Sequence, residues 1–182
     1  MSFNTTILSL LAGAAFATLP LTEALAQSDC TALSHWSQTS PPVNQEHVFC
    51  GELDQRNNKI KGFHSRPNGK GPATINVKVT ESPNQQGIYG ISWNYLDSPG
   101  LTKYSTMFPD SCTQPQILLS ILYAAQHPQK CPAGAPSWAQ CGPNQPSKPA
   151  VGHCAADDSS TFIIAAAVLG KKINTAFPLK LR

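Results

Sequence analysis

Along most of this chain the apolar residues alternate with polar ones, and the alternating runs are separated by clusters rich in Pro, Gly, Asn and Asp. Residues 73–80 (ATINVKVT) show the period of two expected of a half-buried strand. Residues 87–95 and 102–108 read the same way, as do 47–53 and 59–64, whose connection Asp54-Gln55-Arg56-Asn57-Asn58 has the composition of a hairpin turn. Residues 65–71 form a Pro/Gly/Asn loop. The apolar run 161–169, the turn Gly170-Lys171-Lys172 and the run 173–179 predict a C-terminal hairpin.

Helical spacing is confined to fewer places. After Pro109-Asp110, Thr113 offers an N-cap, Gln116 sits at the capping-box position and Pro115 falls in the first turn. Ile117, Leu118, Ile121, Leu122 and Ala125 follow on one broad face, and Pro128 ends the pattern. A second, short helix is expected over 29–37, followed by a Pro-rich linker over 39–44. Residues 130–151, dense in Pro, Gly and Cys, read as a disulfide-tied loop outside the core. Hairpins joined to few helices predict an α+β fold, with two small antiparallel β-sheets and helices packed on them.

The N-terminus changes the picture of where the chain works. Residues 7–21 are apolar and are followed by Ala24-Leu25-Ala26, a signal-peptidase pattern. The expected organisation is a signal peptide over 1–26, an N-terminal helix and linker over 27–45, and one domain over 46–182. The protein is then secreted, to a periplasm or the extracellular space, with no membrane contact once the leader is gone. Cys30, Cys50, Cys112, Cys131, Cys141 and Cys154 all lie beyond the leader, and an even count there predicts up to three disulfides, with 15 pairings open. No C-x-x-C pair supports the rival reading as a zinc site.

Composition excludes some classes. Of 182 residues, 41% are hydrophobic and only 13% charged, unlike a disordered segment, and a net charge of +3 is far below that of proteins held to nucleic acid by charge alone. No H-E-x-x-H or similar spacing points to metal catalysis. Among five histidines, His35, His127 and His153 read as structural, His127 at a helix C-terminus where a cation suits the dipole. His47 and His64 flank the first hairpin, so their imidazoles can face one cleft. A histidine pair is the simplest acid–base couple at neutral pH, because both protonation states are accessible there.

These residues also carry a resemblance. His47-Val48-Phe49-Cys50-Gly51-Glu52, then Lys61-Gly62-Phe63-His64, resemble the paired histidine motifs (H-x-F-x-G-E, then G-x-H) of the EndoU family of uridylate-preferring endoribonucleases. The segment 103–111 (KYSTMFPDS) is similar to the bacterial K-S-T-F-F-P-x-S-W block, and Ile173-Asn174-Thr175-Ala176-Phe177-Pro178 is similar to the C-terminal T-x-Y-P strand. The blocks occur in family order and span residue 46 to the C-terminus. Two departures stand out: Phe177 replaces a tyrosine, and Cys112 stands where a tryptophan follows the serine.

The resemblance implies His47, His64 and Lys103 as the catalytic set, with His64 as base and His47 as acid, an order that the residues alone leave open. It implies Thr175, Phe177, Ser105 and Thr106 as substrate-binding residues. Strand alternation puts Ser105 on the face of Lys103, which favours it over Thr106 as the hydroxyl that reads uracil. Lys70 is the competing cation, while Glu52 and Arg66 read as structural or phosphate-adjacent. The implied substrate is single-stranded RNA, cut through its 2′-hydroxyl to leave a 2′,3′-cyclic phosphate. No cofactor is required, with stimulation by Mn2+ allowed. A monomer is expected, with an immunity protein as partner if the chain serves as a toxin. The alternative is a secreted, cysteine-stabilised module that binds RNA or protein and has lost catalysis.

Overall fold

A computed structural model of the protein describes residues 29–148 and 150–181. The leader and its cleavage site, predicted over 1–26, lie outside the described residues. The architecture is α+β, with eight strands and two α-helices among the described residues.

Strands β1 (Glu52–Asp54) and β2 (Lys59–Lys61) form a two-stranded antiparallel ribbon with Glu52 opposite Lys61. Strands β3 (Ile75–Glu81), β4 (Tyr89–Tyr95) and β5 (Lys103–Met107) form an antiparallel sheet in sequential order. Strands β6 (Gln140–Pro143), β7 (Ile163–Leu169) and β8 (Lys172–Pro178) form another. The predicted turns over 54–58 and 170–172 close the first and last hairpins.

Helix α2 (Gln114–Gln126) starts where its capping box places it, with the Thr113 N–H donating to Gln116 Oε1 at 2.8 Å. It buries Ile117, Ile121 and Ala124 against the third sheet in a core that also holds Val48, Phe49, Phe108, Phe162, Ile164 and Ile173. Gly142 in β6 lies so close under Ala124 that a Cβ would overlap its carbonyl. A second core gathers Phe63, Ile91, Trp93 and Met107 on the middle sheet.

The structure departs from the pattern in three places. Residues 47–53 are not one strand: helix α1 (Gln45–Phe49) comes first, then β1. Asn44 caps α1 by accepting the His47 N–H at 3.0 Å, and the buried Gln45, Val48 and Phe49 follow helical spacing. Residues 29–37 are not a helix. Asp29 closes a single turn, accepting from the Thr31 and Leu33 N–H groups, and the chain then runs extended to a bridge between Trp36 and Asn44. Residues 130–151 are more than a loop, because β6 lies within them as an edge strand.

The cysteines pair as Cys30–Cys50, Cys112–Cys154 and Cys131–Cys141. Three disulfides fit an oxidising compartment, the extracellular space or a periplasm. Among the described residues no helix is long and apolar enough to cross a membrane. The pairs close segments of 20, 42 and 10 residues. Loop-closure entropy then predicts that replacing both cysteines of the 112–154 pair with alanine costs about 4 kcal/mol, against about 3 kcal/mol for the 131–141 pair. Urea unfolding of the two variants measures the difference, and the reverse order would contradict it.

Candidate active site

The site is assembled at the C-terminal end of α1. The last carbonyls of a helix have no partner inside it. Here the His47 carbonyl accepts the Phe63 N–H at 2.7 Å, and the Val48 carbonyl accepts the His64 N–H at 2.8 Å. That contact requires glycine at 62: its φ is +76°, a region open to few side chains, and a Cβ would overlap the His47 carbonyl. The two histidines therefore meet through a helix end and a glycine turn that continue the β1–β2 ribbon. Their ring centroids lie 6.0 Å apart.

Each ring is held by its Nδ1. His47 Nδ1 lies 2.7 Å from Glu52 Oε2, and His64 Nδ1 lies 2.9 Å from the Thr106 carbonyl. Both partners are acceptors, so both Nδ1 atoms carry hydrogen and both Nε2 atoms remain for other chemistry. The surroundings differ sharply. His64 is almost fully buried, which pushes its pKa well below the usual histidine value, and the positive charges of Lys103 and His47 add to that shift. Burial alone would raise the Glu52 pKa. Hydrogen bonds from His47 and Asn44 outweigh burial and hold the carboxyl below its ordinary range, so His47 faces a carboxylate.

Lys103 and Ser105 share one face of β5, as alternation predicts. The Lys103 ammonium donates to Ser105 Oγ at 2.8 Å and to the Tyr104 carbonyl at 2.9 Å, and burial lowers its pKa to about 8. Ser105 itself is buried. Its hydroxyl donates to the Gly62 carbonyl at 2.8 Å and accepts from Trp93 Nε1 at 3.0 Å as well as from Lys103. One hydrogen and two lone pairs are thereby used up.

Across from β5, strand β8 supplies Asn174, Thr175 and Phe177. The Phe177 ring stacks on His64 with centroids 5.1 Å apart and planes at 25°. These residues, with Lys61, Thr106 and Trp138, line one cleft of about 490 Å³ between the edge strands of the two three-stranded sheets. A row of hydrogen-bond donors beside two imidazoles, in a cleft walled by aromatic rings, is equipped for acid–base chemistry on an anion.

A comparison with known families decides the assignment: the model for bacterial EndoU nuclease matches residues 42–180. The chain belongs to this family. Comparison with curated proteins found no match, and neither did comparison with solved structures. EndoU membership brings nuclease activity in general.

All seven residues expected of an EndoU site, His47, His64, Lys103, Ser105, Thr106, Thr175 and Phe177, line this cleft. Lys70 is not among its lining residues. Arg66 is structural: its Nε donates to the Tyr89 hydroxyl at 2.6 Å and its Nη2 to Asp110 at 3.2 Å, which fixes the chain leaving His64. Two contributors had no place among the site residues expected from the sequence, although Glu52 read as structural or phosphate-adjacent. Glu52 lay in the quoted motif, where the five-residue spacing from His47 carried its signal once α1 was known. Trp138 carried no signal, because only the folded sheet brings its loop to the cleft.

Among the described residues one group has the ligand atoms for a metal, namely His35, Glu46 and Glu52, within 4.8 Å of one another. His35 is already paired with Glu46 at 2.6 Å and Glu52 with His47.

Ser105→Ala would leave a buried indole N–H and the Gly62 carbonyl without partners. A stability loss of about 2 kcal/mol or more is expected in urea unfolding. A loss under about 0.5 kcal/mol would contradict the role of Ser105 as the tether of Gly62, Trp93 and Lys103.

Proposed function

We propose that this nuclease is an endoribonuclease that cuts single-stranded RNA on the 3′ side of uridylates. The observation that carries the reading is the unequal environment of two adjacent imidazoles: His64 is buried beside Lys103, and His47 is bonded to a carboxylate. A neutral His64 has a free Nε2 lone pair and serves as the base. His47, whose Nδ1 is held by the Glu52 carboxylate at 2.7 Å, serves as the acid.

In the proposed reaction His64 Nε2 removes the proton of the 2′-hydroxyl. The 2′-oxygen attacks the adjacent phosphorus, the bond from phosphorus to the 5′-oxygen breaks, and His47 delivers a proton to the departing oxygen. The products are a 2′,3′-cyclic phosphate and a 5′-hydroxyl. Each proton transfer of this kind contributes about 10²–10⁴-fold in rate. The Lys103 ammonium offsets the charge growing on the non-bridging phosphoryl oxygens. Ser105, expected from the sequence as the hydroxyl that reads uracil, is already engaged with Gly62, Trp93 and Lys103 and acts instead as a positioning residue for Lys103, while Thr106, Thr175 and Phe177 contact the uridine. The absent phenol at 177 is no obstacle to stacking, which uses only the ring face. No metal ion is needed in this scheme. Secretion through the N-terminal leader would deliver the protein to the compartment where its disulfides form.

The test uses the oxidised protein and a short RNA with one uridine, beside the same RNA carrying 2′-deoxyuridine. Product ends are read by mass spectrometry, with and without chelator. Cleavage at uridine to a cyclic phosphate is expected, unchanged by chelator, absent from the deoxy substrate and reduced at least about 10²-fold in His64→Ala. Cleavage of the deoxy substrate, or loss of activity with chelator alone, would contradict the mechanism.

A further inference from the structure

Trp138 is 56% exposed although it lines the cleft. Leaving so large an apolar ring in water forgoes burial that would stabilise the fold. Trp93, by contrast, is 1% exposed and belongs to a core. Trp138 is also held in place. Its loop is closed by the Cys131–Cys141 disulfide and tightened by the Ala139 N–H donating to the Pro136 carbonyl at 3.0 Å. Cys141 pairs with Ala165, and Ala165 pairs with Phe177, so the base of the loop sits on the same rung of the sheet as Phe177. An exposed aromatic ring on a constrained loop at the rim of a cleft is built to meet a planar ligand.

The rings stand in a row. His47, His64, Phe177 and Trp138 follow one another with centroid separations of 6.0, 5.1 and 6.1 Å. Trp138 meets Phe177 edge-on, with planes at 68°. The proposed chemistry gives this row a direction. The leaving 5′-oxygen belongs to the nucleotide after the cut and lies at His47. The attacking 2′-hydroxyl lies at His64, and its own base lies toward Phe177. The strand continuing in the 5′ direction then passes Trp138. Because the two aromatic planes are steeply inclined, a base stacked on Trp138 cannot also be stacked on the uracil beside Phe177. Single-stranded RNA is commonly bound in this way, with bases unstacked from one another and laid on separate aromatic rings.

We propose that Trp138 is the binding platform for the base of the nucleotide that precedes the cleaved uridylate. The proposal rests on the polarity assigned under the proposed function. Stacking on a ring face accepts any base, so the subsite adds affinity without demanding a sequence.

The test measures binding by calorimetry rather than cleavage, using 2′-deoxyuridine at the central position so that no reaction occurs. The ligands are dUpA, ApdUpA and the trinucleotide with an abasic first residue. The wild-type protein is expected to bind ApdUpA about tenfold more tightly than dUpA, with the abasic ligand showing little of this gain. Trp138→Ala should lose the gain while keeping its affinity for dUpA, and Trp138→Phe should retain most of it. Three results would overturn the proposal: a gain that persists with the abasic ligand, a gain that survives in Trp138→Ala, or equal weakening of both ligands in that variant. Because these ligands are not cut, failure of the subsite is distinguishable from failure of the ribonuclease reading.

Discussion

The site depends on a short relay of backbone hydrogen bonds through α1. At one end of the helix the Asn44 N–H donates to the Ile173 carbonyl at 2.9 Å, joining α1 to β8. At the other end the His47 and Val48 carbonyls accept from Phe63 and His64. The His64 carbonyl in turn accepts the Phe108 N–H at 2.8 Å, just past the end of β5. One relay thus ties the two edge strands that wall the cleft and places both imidazoles between them. It uses the orphan carbonyls that any helix end must satisfy, so the stabilisation of α1 and the assembly of the site are the same interactions. Gly62 is the steric condition for all of it.

Given that frame, electrostatics differentiates two chemically identical side chains. His64 loses water and gains two positive neighbours, so its neutral form is favoured. His47 gains Glu52, a carboxylate held ionised by its hydrogen bonds. The same two residue types would be interchangeable in water. Burial and partners make their environments unequal, and under the proposed mechanism that inequality separates base from acid. Lys103 belongs to the same balance, because its charge adds to the depression of the His64 pKa.

Much of this was legible in the sequence. The hairpins at 54–58 and 170–172 and helix α2 have complete local signals: alternation with turn residues in one case, a capping box and an apolar face in the other. The site residues were reached through blocks that resemble EndoU, and the third and fourth blocks do meet across the cleft. Helix α1 was not legible because five residues span barely more than one turn, too few for helical periodicity to outweigh the strand-like reading of residues 47–53. Its cap at Asn44 lay in a segment that read as a linker. Strand β6 was hidden because its Gly142 and Pro143 carry turn signals, and only pairing with β7 makes it a strand. Ser105 was correctly placed on the face of Lys103, yet its bonds to Gly62 and Trp93 are long-range contacts that no local pattern encodes.

The proposed mechanism depends on a fold that keeps His64 neutral with hydrogen on Nδ1, so that Nε2 is open to act as a base. Long-range ¹H–¹⁵N correlation of the imidazole nitrogens across a pH titration tests this directly. His64 is expected to show the neutral Nδ1–H tautomer at pH 7 and to remain unprotonated as the pH falls through 6.5, the ordinary histidine value. Titration of His64 at that ordinary value, or hydrogen on Nε2 in the neutral form, would contradict it.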